Sequence, residues 1–171
     1  MAFKQLQIER NREKTVSVAL LIRASAVVAA VAWAAGDVRA QGIGFSGGAG
    51  LDPSQVYVGT HIESAPLAGG HVFFHPGIDG AFGSDVSEAI VDVFFVYKIP
   101  FGTLSPWSLF QGTGPIVGIE RVTDKLHAHG GLGGVFGIEH KNGFFFEFKV
   151  SGGGGPNLLL GIGYTIRRAQ P

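Results

Sequence analysis

The chain has no cysteine among its 171 residues. This absence excludes a disulfide framework, a thiol nucleophile and any metal site built on thiolates. Charged residues are few, at 15% of the chain. No segment has the helical periodicity of an amphipathic helix, and no phosphate-binding loop is present, because Gly152–Gly155 precedes a strand pattern rather than a helix.

The first 40 residues have the pattern of a secretory signal peptide. A basic leader precedes a largely apolar run that Arg23 interrupts, and Val38-Arg39-Ala40 has small residues at the two positions that signal peptidase recognises. The alternative is a retained transmembrane anchor, but the uncharged stretch after Arg23 is far shorter than the ~20 residues that span a bilayer. We therefore expect a cleaved signal peptide at 1–40 and a mature domain at 41–171.

The mature domain is slightly acidic and rich in glycine. Without the leader, seven basic and ten acidic residues remain, which gives a formal charge of −3. Since binding to a phosphate backbone needs a basic surface, nucleic acid is disfavoured as a partner. Glycine makes up 27 of the 131 mature residues, about three times the usual ~7%. Glycine on strands marks close backbone approach or sharp curvature, as a small closed barrel requires.

Eight segments have strand-like alternation, separated by short turns rich in Gly, Pro and Asn. They are residues 42–51, 55–63, 71–82, 88–99, 107–121, 130–140, 143–151 and 158–166. The last two form the clearest hairpin, with a turn at Gly152–Pro156. The sixth and seventh segments are joined by Lys141-Asn142-Gly143, a sequence typical of a type I′ turn. Consecutive strands of roughly ten residues predict an all-β fold, an eight-stranded antiparallel up-and-down β-barrel.

The two faces of these strands differ in polarity. One face collects valine, isoleucine, leucine and phenylalanine, whereas the other collects glycine and ionisable side chains. The ionisable side chains that we assign to a structural charge network in the lumen are Glu63, His75, Asp79, Asp92, Lys98, Glu120, Glu139, Glu147 and Lys149. Within this network we expect Glu147 to pair with Lys149 and Asp92 with Lys98, because a carboxylate in a low-dielectric interior needs a partner.

The face that points outward decides whether the barrel is surrounded by lipid or by water. A transmembrane barrel turns its apolar face to lipid and its polar face inward. The alternative is a soluble, exported, lipocalin-like barrel that binds an apolar ligand inside, but its surface would then be made largely of glycine. We therefore favour a transmembrane barrel. Tyr97, Trp107 and Tyr164 lie near strand ends and are the predicted membrane-interface aromatics.

Several segments carry a family resemblance. Trp107-Ser-Leu-Phe-Gln-Gly-Thr-Gly, Phe-Phe-Phe-Glu-Phe-Lys149 and Pro156-Asn-Leu-Leu-Leu-Gly-Ile-Gly-Tyr-Thr-Ile166 resemble the small outer-membrane β-barrel superfamily, in the broad OmpA/OmpW-like sense. The resemblance covers residues 41–166. It implies a barrel in the lipid of a Gram-negative outer membrane, inserted by the barrel-assembly machinery, and it implies no activity. Such barrels often end on an aromatic residue, whereas Arg167 and four further residues follow here.

Four histidines and one serine are the candidate catalytic or metal-binding residues. We place His127 and His129 in the turn between the fifth and sixth strands, where both rings could reach one metal, but no third ligand is evident. His75 shares the charged face with His61 near carboxylates, an arrangement that suits either a general base or buried polar packing, and we favour packing. Ser151 is the only serine placed for a lipid-modifying nucleophile, without a histidine beside it.

These observations predict a non-enzymatic protein without cofactor or metal. The turns expected to face outward are short, and long extracellular loops usually carry adhesin or receptor binding. We therefore expect an outer-membrane protein with a structural or small-solute conduit role and a largely occluded lumen.

Overall fold

The computed structural model describes most of the chain from residue 40 onwards. The described residues are 40–67, 70–84, 86–122, 125–152 and 157–168. The predicted signal peptide therefore lies outside the described residues, apart from Ala40. No helix within the described part of the chain is long and apolar enough to cross a membrane.

Eight β-strands follow one another along the chain. They are β1 (Ala40–Leu51), β2 (Gln55–Ser64), β3 (Val72–Phe82), β4 (Val86–Pro100), β5 (Trp107–Val122), β6 (Lys125–His140), β7 (Phe144–Gly152) and β8 (Leu158–Arg167). Each strand pairs antiparallel with its sequence neighbours, and β1 pairs with β8 to close the barrel. The predicted all-β, eight-stranded antiparallel up-and-down barrel is thus confirmed. We call the end at which β1 begins and β8 finishes the terminal end, and the opposite end the far end.

The β6–β7 turn differs from the predicted type I′ turn, because neither of its central residues, Lys141 and Asn142, has a positive φ. Gly143 has a φ of 104°, a left-handed conformation that favours glycine. Its amide donates to the His140 carbonyl over 2.8 Å, and the Asn142 side-chain oxygen accepts from the Phe144 amide over 3.0 Å. The turn is therefore a three-residue loop with glycine in the left-handed position, and these local bonds set the register of the β6–β7 hairpin.

The fifth and sixth strands extend further than the sequence pattern indicates. β6 begins at Lys125 rather than at Gly130, so His127 and His129 lie on a strand and not in a turn. The weak alternation of Lys125–Gly130 hides this segment, but its pairing with β5 continues as far as Val122. The prediction of a solvated histidine loop is therefore wrong.

Because the barrel is a single closed sheet, alternate side chains point inward or outward. On β2, for example, Tyr57 is fully buried, whereas its neighbours Val56 and Val58 are 64% and 58% exposed. The interior also contains two apolar clusters, which the charged-face pattern does not predict. They consist of Phe94, Val96, Phe110, Ile116, Val135 and Phe145, and of Tyr57, Ala81, Ile90 and Leu159. The interior is therefore a packed core with charged layers.

Candidate functional site in the barrel interior

Four charged side chains form a closed ring at the terminal end. Lys98 Nζ lies 2.6 Å from both Glu63 Oε2 and Glu139 Oε2. On the opposite side, Arg167 contacts the same two carboxylates, with Nε 2.8 Å from Glu63 Oε1 and Nη2 bonded to Glu139 Oε1. We call Glu63, Lys98, Glu139 and Arg167 the terminal ring. Its charges alternate in sign around the circuit, so each carboxylate lies between two cations.

The terminal ring joins every second strand across the barrel. Its members lie on β2, β4, β6 and β8, and each contact crosses the lumen rather than running along a strand. The aromatic ring of Phe73 lies under Lys98, with 4.7 Å from Nζ to the ring centroid. The terminal ring thus both bridges the barrel wall and blocks its mouth.

Arg167 is the member that sequence analysis missed. The sequence pattern ends the eighth strand at Ile166, whereas β8 continues to Arg167. Arg167 is in phase with Thr165, which is buried, so the alternation of β8 already assigned it to the inside. A third interior cation therefore joins the two lysines.

A second charged group lies near the middle of the barrel. Lys149 Nζ donates to Asp79 Oδ2 over 2.7 Å and to Asp92 Oδ2 over 3.3 Å. Nearby, the Tyr57 hydroxyl donates to Glu147 Oε1 over 2.9 Å. We call Tyr57, Asp79, Asp92, Glu147 and Lys149 the central cluster. All five side chains are buried.

Glycine makes room for the central carboxylates. A Cβ added at Gly59 would collide with the carboxylate of Asp79, and one added at Gly77 would press against that of Asp92. The inward-facing glycines therefore let charged side chains lie flat against the barrel wall, as a narrow barrel requires.

The pairs that form differ from the expected ones. Lys98 pairs with Glu63 and Glu139 instead of Asp92, and Asp92 pairs with Lys149. The reason is distance, because six residues along a strand span about 20 Å. Glu147 accepts a hydrogen bond from Tyr57, while Lys149 extends across the lumen towards Asp79 and Asp92. Partners in this barrel are therefore set by proximity across the lumen.

A third pair lies towards the far end. His129 Nε2 is 2.5 Å from Glu88 Oε1, and the carboxyl group of Glu88 is buried. Glu120 is half-buried and stands in register between Glu88 and His127. Glu120 belongs to the charge network predicted from the sequence, but Glu88 does not, although its inward phase on β4 matches that of Asp92. No group of three or more His, Asp or Glu side chains in the described part of the chain has the geometry of a metal site.

His61 and His75 lie between the terminal ring and the central cluster. Their rings stack with centroids 5.0 Å apart, and His75 Nε2 is 3.6 Å from Glu63 Oε2, beyond hydrogen-bond distance. Ser151, by contrast, faces a small cavity in the far half of the interior together with Asp79 and Lys149. The structure thus brings neither histidine to Ser151, since the central cluster lies between them.

Two cavities inside the barrel, on either side of the central cluster, are small. The cavity between the terminal ring and the central cluster measures about 30 Å³, and the cavity beside Ser151 measures about 20 Å³. Each has room for one or two water molecules, since about 10–15 Å³ holds one. These two cavities can therefore hold water but no larger solute, whereas a wider pocket of about 180 Å³ opens beside the terminal ring.

The three predicted interface aromatics lie on the outer surface at the terminal end. Tyr97 and Tyr164 are 44% and 47% exposed, and Trp107 packs edge-on against His140 with ring centroids 4.9 Å apart. Each lies within four residues of the end of its strand. They therefore form one aromatic belt, at the terminal end.

We expect Arg167→Gln to lower the free energy of unfolding by about 1.5–3 kcal/mol, the range for hydrogen bonds to charged groups. The substitution leaves Glu63 and Glu139 to share Lys98. Urea titration of the refolded protein measures the change. Arg168→Gln is the control, because Arg168 is exposed, and its effect should stay within about 0.5 kcal/mol. Equal effects of the two substitutions would contradict a structural role for the terminal ring.

Comparison with known proteins assigns no family to the chain. No protein-family model matches the sequence, and no curated protein is significantly similar to it. The barrel and the distribution of its side chains are therefore the features from which a function can be inferred.

Proposed function

We propose that this chain is an outer-membrane β-barrel protein of the small OmpA/OmpW-like type, with a closed lumen and a structural role. The observation that carries the proposal is the inversion of polarity across the barrel wall. Charged residues such as Asp79 and Glu147 are buried inside, whereas large apolar residues such as Val58, Ile78 and Ile166 are 58–60% exposed outside. A barrel surrounded by lipid has this distribution.

The dimensions of the barrel support the same proposal. Its strands have 9 to 16 residues, and about 9–11 tilted residues cross the hydrocarbon core of a bilayer. The aromatic belt of Tyr97, Trp107 and Tyr164 supports placing the terminal end at one membrane interface. Since β1 begins and β8 ends at that side, the terminal end faces the periplasm in this proposal.

The packed interior favours a structural role over a conduit. Between the charged layers the cavities measure about 30 and 20 Å³, too small for a solute larger than water. The same fact disfavours a lipocalin-like carrier, since pockets for small-molecule ligands measure about 300–1,000 Å³. Within the proposal, the protein has no enzymatic activity and no cofactor. Outer-membrane lipid and the barrel-assembly machinery are its partners, and the signal peptide directs its export.

Cell fractionation tests the proposal. We expect the expressed protein in the detergent-solubilised outer membrane, with a gel mobility that changes when the sample is heated. Planar bilayers containing the purified barrel should show no steady conductance. Recovery in the osmotic-shock fluid, without heat-modifiable mobility, would support the soluble carrier instead. Stable open channels would contradict the closed lumen while leaving the membrane location intact.

A further inference from the structure

An apolar groove crosses the outer surface of the barrel. It has a volume of about 470 Å³, many times that of either interior cavity, and runs over four adjacent strands, β6, β7, β8 and β1. This size falls within the range of small-molecule sites. The groove is therefore a candidate site with far more room than either interior cavity.

Two rows of outward side chains form the walls of the groove. The register places Ile138 beside Phe146 and Phe146 beside Ile162 in one row. The second row consists of Phe136, Phe148 and Leu160. The walls thus run from strand to strand, oblique to the barrel axis.

The floor of the groove is the backbone between these two rows. The floor residues on β6, β8 and β1 are Gly137, Gly161 and Gly48, respectively. On β7 the floor residue is Glu147, whose side chain points inward to Tyr57. The floor amides and carbonyls belong to paired strands. The groove therefore has an apolar lining whose only polar atoms lie in the sheet.

We propose that this groove holds one hydrocarbon chain of a membrane lipid. This inference rests on the proposed membrane location. Four strands set the groove length at about 14 Å and two residues set its width at about 7 Å, given a strand spacing of ~4.8 Å and a rise of ~3.4 Å. Such a slot suits one extended acyl chain. Its area is on the order of 100 Å², whereas a stable interface with a second copy needs about 800 Å² from each partner.

Gly47 offers a way to fill the groove. It continues the row that ends at Ile162, and an added Cβ would meet only Tyr57 O at 3.4 Å and Val58 Cγ1 at 3.8 Å. Gly130, outside the groove, is a matched control, because its Cβ would meet Ile116 O at 3.4 Å and Val117 Cγ2 at 3.9 Å. A Cβ at either position thus has similar nearest contacts, but only at position 47 does a phenylalanine obstruct the groove.

Native mass spectrometry tests the proposal with a defined lipid. Each protein is inserted into vesicles of dimyristoylphosphatidylcholine and extracted into octyl glucoside, and the lipids retained per barrel are counted. We expect one retained lipid in the wild type and in Gly130→Phe. In Gly47→Phe we expect about tenfold weaker retention, which corresponds to the loss of contact with about two methylene groups.

A second pair of variants tests the wall without adding volume. Phe148→Ala removes one wall residue and should weaken retention, whereas Phe95→Ala removes an outward phenylalanine elsewhere and should not. Equal retention in all variants, or an inserted wild type that retains no lipid, overturns the groove site alone. If the wild type instead shows a doubled protein mass that is lost in Gly47→Phe, the groove binds a second copy of the chain, and the lipid site is overturned. A wild-type chain that does not enter vesicles overturns the membrane location together with the groove.

Discussion

Replacing Lys149 with methionine is expected to lower the free energy of unfolding by about 3–5 kcal/mol, the cost of removing one partner from a buried ionic group. Lys149 is buried and bonds to both Asp79 and Asp92. Methionine nearly conserves the volume but leaves two carboxylates unpaired in the middle of the barrel. Urea titration of the refolded barrel measures the change.

Two controls separate the lost charge from lost packing. Lys141→Met removes an exposed lysine and should change the free energy of unfolding by no more than about 0.5 kcal/mol. Adding Asp79→Asn and Asp92→Asn to Lys149→Met removes the unpaired charges, so most of the lost stability should return. A triple variant as unstable as Lys149→Met alone would show that Lys149 acts through packing.

Alternation accounts for most of what could be predicted from the sequence. The period of two assigned Asp79 to the inside and Ile78 to the outside without any knowledge of strand pairing. Short turns such as Lys141-Asn142-Gly143 are local signals and need no tertiary information. Strand number, direction and facing therefore follow from residues that are close together in the sequence.

Pairing across the lumen could not be predicted in the same way. The contact of Lys98 with Glu139 joins residues 41 positions apart, and that of Lys149 with Asp79 joins residues 70 positions apart. Such contacts depend on the stagger of all eight strands, which the pattern of a single strand does not contain. Arg167 was missed for a different reason, because its inward phase was masked by the apparent end of β8 at Ile166.

The composition of the interior was predicted only in part. On β4 both faces are apolar, so only the shared phase of Asp92 and Lys98 indicated the inward positions of Phe94 and Val96. These side chains fill the space between the charged layers and contribute to closing the lumen. A barrel with the same charges but smaller inward residues would have an open interior.

If lipid surrounds the barrel, arginine substitutions at two depths on its outer surface should lower the free energy of unfolding by different amounts. Ile78 lies near the middle of β3 and is 58% exposed, and Leu126 lies near the far end of β6 and is 69% exposed. Facing lipid, Ile78→Arg should cost about 2–4 kcal/mol of unfolding free energy and Leu126→Arg about 0–1 kcal/mol. The measurement is urea titration of each variant in phospholipid vesicles. In water both side chains would be solvated, so effects within about 0.5 kcal/mol at both positions would contradict the membrane location.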